Sequence, residues 1–168
     1  MTNYYFVDTN IIISYLNQEN QLITNFIDDP KNVFCYTETV QNELFKKITS
    51  NDIPTTFKFI SSRLTERKKE LALIELTKDA VFHLNDNQKK KFRNDIFIIF
   101  ESGFCCYDEE VADSNDFTEP MLLTNNLKLY RKFIKEPVHA KRLEDIINLY
   151  GLEHLIRVVT PSDIIVGL

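Results

Sequence analysis

The sequence predicts an α/β protein, a three-layer α/β/α sandwich around a largely parallel sheet of four to five strands. Short apolar runs of β-prone residues alternate with segments of helical spacing along the chain. Polar residues of the helix-capping type follow these runs directly, so strands lead into helices. The 168 residues contain no repeat, low-complexity tract or linker, so we expect a single domain over residues 1–168.

The first strand is predicted over residues 4–7, which are aromatic or β-branched and carry no charge. Asp8, Thr9 and Asn10 follow, and each is a good helix N-cap, so the next apolar run is predicted to be a helix. Asp8 is therefore expected at the carboxyl end of a strand. In open α/β sheets this is the edge at which ligands bind.

The elements up to residue 101 follow the same alternation. A helix is predicted over residues 21–27, a turn at 28–32, a strand over 33–36 and then a helix that carries Glu43. Residues 54–101 are predicted to be mainly helical, with Pro54 in a first turn and residues 85–88 capping the last helix.

Gly103 is expected to end this helical region. Asp108 and the two glutamates after it are expected to open a short helix, because acids suit the first helical turn. Strands are then predicted over residues 121–124 and 157–160. Between them we expect a helix that begins near residue 127 and stops at Pro137, and another over residues 140–150.

Composition narrows the class of protein. Charged residues at 27% and hydrophobic residues at 43% are ordinary for a folded soluble chain, and no stretch approaches the ~18 apolar residues of a membrane span. The three cysteines lack paired-ligand spacing, and no signal peptide precedes the first strand, which predicts a cytoplasmic protein. A net charge of −5 excludes general attraction to nucleic acid, and solvated helix faces explain most of the basic clusters.

Acidic and polar residues are expected to converge at one edge of the sheet. Asp8, the stretch 37–43 and the stretch 124–126 each follow a predicted strand, and Asp108 precedes the third. Carboxylates brought together repel one another unless protons or cations neutralise them. Oxygen ligands suit Mg²⁺ or Mn²⁺, which activate water and stabilise a leaving oxygen in phosphodiester cleavage. The residues therefore predict a metal-dependent enzyme acting on a phosphate substrate.

Each acid also has an ordinary structural explanation. Asp8 could serve only as a helix N-cap, and Glu43 could pair with Lys47 one helical turn later. Asp108 and its neighbours could simply complement a helix dipole. A nucleotide-binding regulator is a further alternative, but no glycine-rich phosphate loop supports it, since the chain has only three glycines.

Four motifs resemble those of the PIN-domain nucleases, in particular small prokaryotic toxin-type endoribonucleases. They are Val7-Asp8-Thr9-Asn10, Glu43-Leu44, Asp108, and the stretch 122–126, which is similar to the family's L-x-T-x-D strand end. The intervals also suit the family, at 35 residues from Asp8 to Glu43 and 18 from Asp108 to Asn126. The resemblance covers most of the chain and implies a PIN-like domain.

The resemblance implies a site and an activity. Mg²⁺ or Mn²⁺ would be held by catalytic acids and neighbouring ligands, and an activated water would attack an RNA phosphate in line. Hydroxyl and amide side chains would orient the ligands or the substrate. The implied catalytic acids are Asp8, Glu43 and Asp108, the further metal ligands are Asp113 and Asn126, and the substrate-side residues are Thr9, Asn10 and Thr124.

One position departs from the family pattern. Asn126 stands where the family usually has a fourth acid, and an amide brings no negative charge to a second metal site. Asp113 is near enough in sequence to compensate. The alternative function is therefore a catalytically weak or inactive PIN-like module that binds RNA or a protein. The resemblance implies an RNA substrate, and it allows an antitoxin, another protein or a second copy of the chain as partner.

Overall fold

A five-stranded sheet forms the centre of the fold, and all four strand pairs are parallel. The computed structural model describes residues 2–62, 64–79, 82, 84–105, 120–131, 136–148 and 156–168. The spatial order is β3-β2-β1-β4-β5. The strands are β1 (Asn3–Val7), β2 (Asn32–Tyr36), β3 (Phe57–Phe59), β4 (Met121–Leu123) and β5 (Arg157–Val159).

Helices flank the sheet, so the predicted α/β class with a largely parallel sheet is confirmed. No helix in the described ranges combines the length and the apolar character needed to cross a membrane. The helices are α1 (Thr9–Leu16), α2 (Gln21–Asp28), α3 (Glu38–Phe45), a 3₁₀ turn (Ser50–Asp52), α4 (Glu66–Lys78), α5 (Asp86–Cys105), α6 (Leu127–Leu129), α7 (Pro137–Asn148) and α8 (Pro161–Ile164).

The central strand β1 marks the point where the strand order reverses. The chain first builds β2 and β3 on one side of β1 and then crosses to build β4 and β5 on the other. Val7 is in register with Leu123 on β4, and the Asp8 N–H donates to the Leu123 carbonyl at 2.9 Å. The residues after β1 and β4 are therefore neighbours at a topological switch point, the usual ligand-binding crevice of such sheets.

Aromatic rings pack one face of the sheet around Phe34, which is fully buried. The Phe34 ring stacks on Tyr5, with centroids 5.4 Å apart, and meets Phe26 and Phe57 edge-on. Each ring pair adds about 0.5–1.5 kcal/mol to the free energy gained by burial. Because these rings come from β1, α2, β2 and β3, they fix the strands whose ends carry polar residues.

Three boundaries differ from the sequence prediction. Residues 57–59 form β3, an edge strand paired with β2, whereas a helical stripe was expected. In β3 Phe57 is buried but Phe59 is 43% exposed. Three residues are too few to show a helical or a strand period, so the pairing with β2 decides their structure. Gly103 lies within α5, and Pro137 is the first residue of α7, a favourable position for proline. The helix expected from Asp108 lies outside the described residues.

A buried ion cluster joins α3, α4 and α5. Lys69 is 1% exposed, and its ammonium lies 2.6 Å from Glu101, 2.9 Å from Glu66 and 3.2 Å from Glu38. Burial alone would lower the pKa of Lys69, but the contacts with Glu101 and Glu66 raise it. Glu101 also accepts hydrogen bonds from the Thr39 N–H and hydroxyl. The cluster thus fixes the start of α3 against α5.

Replacing Lys69 with methionine should destabilise the fold strongly, because Glu101 would stay buried without its cation. We expect the free energy of unfolding to fall by about 3–5 kcal/mol, measured by urea denaturation. The matched control is Lys141→Met, since Lys141 is exposed and pairs with Asp145 on the surface. That change should cost less than about 1 kcal/mol. Equal losses for the two variants would contradict a structural role for the buried pair.

Candidate functional site

A pocket of about 310 Å³ lies at the switch point, beside the carboxyl ends of β1 and β4. Its lining is unusually acidic, with four carboxylates and a single lysine among the described residues that form it. The carboxylates come from separate elements, so the parallel topology rather than sequence proximity brings them together. The lining residues are Asp8, Thr9, Asn10, Ile13, Glu19, Glu43, Lys47, Asp95 and Asn125.

Asp8 lies at the base of this pocket and is 5% exposed. One of its oxygens accepts from the Thr9 N–H at 2.7 Å, as expected of the N-cap of α1. The other accepts from the Thr124 hydroxyl at 2.7 Å and from the Asn10 amide at 3.4 Å. Burial raises the pKa of Asp8, and these hydrogen bonds oppose the rise. Asp8 thus joins β1, α1 and the end of β4.

Glu43 reaches the pocket from the second half of α3 and is partly buried. Its Oε1 accepts a hydrogen bond from the Thr9 hydroxyl at 3.0 Å. Thr9 therefore contacts both acids, since its backbone N–H donates to Asp8. Burial raises the pKa of Glu43, and the Asp8 carboxylate raises it further. The hydrogen bond from Thr9 and the charges of Lys47 and Lys46 act in the opposite direction.

Asp95 is the third acid, and it lies on α5. Its Oδ2 accepts from the Asn126 side-chain amide at 2.7 Å. Burial raises the pKa of Asp95 from its ordinary value of 3.8 to about 7, with further contributions from the negative charges of Asp8 and Glu43. The three acids therefore share one electrostatic environment, and near neutral pH they resist being ionised together.

The donor set fits a hard divalent cation. Thr9 donates to one oxygen of Glu43, and Asn126 donates to one oxygen of Asp95. The second oxygen of each acid receives no hydrogen bond from the described residues. Oxygen-only ligands and uncompensated negative charge are what Mg²⁺ and Mn²⁺ require. As placed, however, no three Asp, Glu, His or Cys side chains in the described ranges form a ready metal-binding group. A cation would have to draw these carboxylates together.

Most of the site residues predicted from sequence lie here. Asp8, Thr9, Asn10 and Glu43 line the pocket, and Thr124 and Asn126 bond directly to its acids. Thr124 is fully buried, and its N–H donates to Val159 of β5, which fixes the hydroxyl that holds Asp8. Asp108 and Asp113 lie outside the described residues, so their place in the site stays a prediction.

Sequence reasoning missed Asp95. The interval that ends at Asn126 favours Asp108 as the third acid, whereas Asp95 lies within a segment predicted only to be mainly helical. Helical phase could have found it. Asp95 follows the buried Phe92 by three residues and precedes the buried Ile99 by four, so it shares the buried face of α5. An acid on such a face needs a hydrogen bond or a charge partner.

No family model matches the sequence, and no curated protein is similar to it. Among solved structures, the chain is similar to VapBC2 from Rickettsia felis bound to a DNA fragment from their promoter, at 14% identity. The alignment covers 94% of this chain and 98% of that one, with a TM-score of 0.47. A structural overlap this low is a likeness on which no conclusion about activity rests.

Proposed function

We propose that the protein is a metal-dependent endoribonuclease of the PIN-like type, which hydrolyses phosphodiester bonds in RNA. The observation that carries the proposal is the convergence of Asp8, Glu43 and Asp95 on one pocket at the switch point of the sheet. Burial raises the pKa of Asp95 to about 7, and repulsion from Asp8 and Glu43 adds to the rise. The PIN-like sequence motifs around Asp8, Glu43 and Asn126 add support, and the pocket chemistry is consistent with them.

In this proposal Asp8, Glu43 and Asp95 hold Mg²⁺ or Mn²⁺. Bound there, the cation supplies Lewis acidity that activates a water and stabilises the leaving oxygen of a phosphodiester. The protein positions the acids: Thr124 and Asn10 hold Asp8, Thr9 holds Glu43, and Asn126 holds Asp95. Lys47 at the pocket edge carries the positive charge that attracts the RNA backbone.

The substrate and partners follow from the resemblance. RNA with unpaired segments is proposed over duplex DNA, because the resemblance points to RNA, no groove-reading helix is evident among the described residues, and single strands expose their bases. The resemblance allows three kinds of partner, which are an antitoxin, another protein or a second copy of the chain. Asp108 and Asp113 remain proposed additional acids.

Cleavage of RNA by the purified protein tests the proposal. We expect cleavage of a 5′-labelled single-stranded RNA in Mn²⁺ or Mg²⁺ and none in EDTA, followed on denaturing gels. Asp8→Asn and Asp95→Asn should each lower kcat/KM by more than about 100-fold, since even residues that only support a metal ligand contribute about 10–100-fold.

The matched control is Asp86→Asn, because Asp86 lies on α5 with Asp95 but is exposed in the first turn. It should retain kcat/KM within about twofold of the wild-type value. Cleavage that survives Asp8→Asn would reject this site. If no RNA is cleaved with either cation, the alternative of a PIN-like binding module is favoured.

The raised pKa of Asp95 should make the stability of the metal-free protein depend on pH. Because the folded-state pKa of Asp95 lies above its unfolded value, this group stabilises the fold at acidic pH, and its contribution is lost as the pH rises through about 7. In EDTA, Asp95→Asn should therefore raise the melting temperature relative to wild type at pH 8, by at least about 3 °C, and less at pH 5.

Excess Mn²⁺ should reverse this order at pH 8. A hundredfold excess over Kd stabilises the wild-type protein by about 2.7 kcal/mol, and Asp95→Asn should gain much less. Thermal denaturation followed by circular dichroism measures both effects. A wild-type melting temperature that does not respond to Mn²⁺ would refute a cation between these acids, independently of any RNA.

A further inference from the structure

A second pocket, of about 180 Å³, adjoins the acidic pocket across Glu43, which lines both. We call it the α3–α5 groove, because most of its lining comes from α3 and α5. Its chemistry differs from that of the first pocket, since basic and amide side chains accompany the two acids. Its lining residues are Thr39, Asn42, Glu43, Lys46, Glu66, Arg93, Asn94 and Phe97.

Helical phase explains how the two pockets separate. Asn42 and Lys46 are four residues apart, so they share one face at the carboxyl end of α3. On α5, Arg93 and Asn94 line the groove, and the next residue, Asp95, lines the acidic pocket. Consecutive residues of one helix therefore serve the two pockets, and a ligand longer than one nucleotide could occupy both.

The groove offers unused polar groups. The side chains of Asn42, Asn94 and Lys46 are exposed and make no hydrogen bond or ion pair with the described residues. Lys46 acts only through its charge, which lowers the pKa of Glu43. These groups are thus available to a ligand without breaking existing contacts.

Arg93 makes two contacts with described residues at the groove. Its guanidinium carbon lies 4.6 Å from the centre of the Phe97 ring, and one of its nitrogens pairs with Glu70. Phe97 is only 4% exposed, and the Lys69 ammonium also lies near its ring, 5.9 Å from the centre. A planar cation supported in this way suits both a phosphate and the face of an unstacked base.

We propose that the α3–α5 groove binds the nucleotide adjacent to the scissile phosphate of a single-stranded RNA, an inference that rests on the proposed function. Lys46 and Arg93 contact its backbone phosphate, and Asn42 and Asn94 bond its ribose or base edge. A protein partner fits less well, because Phe97, the one aromatic ring among the described lining residues, is 4% exposed and cannot receive an aromatic anchor. At about 180 Å³ the groove is too small to receive a helix.

Binding of a 5′-fluorescein single-stranded RNA of mixed sequence, measured by anisotropy in EDTA, tests the groove without cleavage. Lys46→Gln and Arg93→Gln should each weaken binding about three- to tenfold at low salt. Each should also reduce the slope of log K against log salt by about 0.7, the value for one phosphate contact on a single strand.

Two controls separate RNA contact from structural damage. Lys31→Gln removes an exposed lysine next to the start of β2, at the opposite end of the sheet, and should leave affinity and slope unchanged. Glu70→Gln breaks the ion pair of Arg93 but keeps its guanidinium, so affinity should be unchanged or higher. Weakening by Glu70→Gln equal to that by Arg93→Gln would overturn the assignment of Arg93.

The groove and the nuclease proposal can fail separately. RNA that binds with the expected dependence on Lys46 and Arg93, but is never cleaved in Mn²⁺, upholds the groove and refutes the nuclease. The opposite outcome is that RNA is cleaved, but Lys46→Gln and Arg93→Gln have the same affinity and KM as Lys31→Gln. That outcome refutes RNA binding by the groove and favours a protein partner there.

Discussion

The burial of Asp8 at the end of the central strand is the constraint on which the site depends. A carboxylate that is 5% exposed is costly to ionise, and its three hydrogen-bond donors come from the start of α1 and the end of β4. The Thr124 hydroxyl, the one of these donors that is distant in sequence, is in place only if β1 and β4 are paired in their observed register. The strand pairing that builds the core therefore also positions the Thr124 hydroxyl that holds Asp8.

Helix α5 carries two acids in contrasting surroundings, the fully buried Glu101 and the partly buried Asp95. Glu101 is fully buried, but Lys69 lies 2.6 Å away and Thr39 donates two hydrogen bonds, so its charge is compensated within the fold. Asp95, six residues earlier, faces other acids and receives one amide hydrogen bond, and its pKa rises to about 7. The first arrangement is typical of a structural ion pair. The second leaves negative charge uncompensated, which reduces stability and is understandable where a cation binds.

Sequence patterns predicted the parts of this structure that depend on local chemistry. The buried residues of the strands are apolar, and Asp8 directly follows β1, so both the parallel sheet and an acid at its edge could be anticipated. Strand β3 could not, because three residues are too few to show a period and the pairing with β2 decides their structure. Asp95 was missed for a related reason, since its importance arises from the packing of α5 against α3, which brings together residues 52 positions apart. Local pattern gives each element, while contacts between distant elements select the site.

Asn126 places a neutral amide, rather than a further acid, beside the acidic pocket. Its side-chain amide donates to Asp95 at 2.7 Å, and its backbone N–H donates to the Thr124 hydroxyl that holds Asp8. An ionised carboxylate at this position would have no hydrogen to donate, and it would add a negative charge beside a group whose pKa is already about 7. The amide therefore positions one acid while lowering the repulsion among all of them. Within the described part of the chain, Asp8, Glu43 and Asp95 still offer the oxygen ligands that the single cation of the proposal requires.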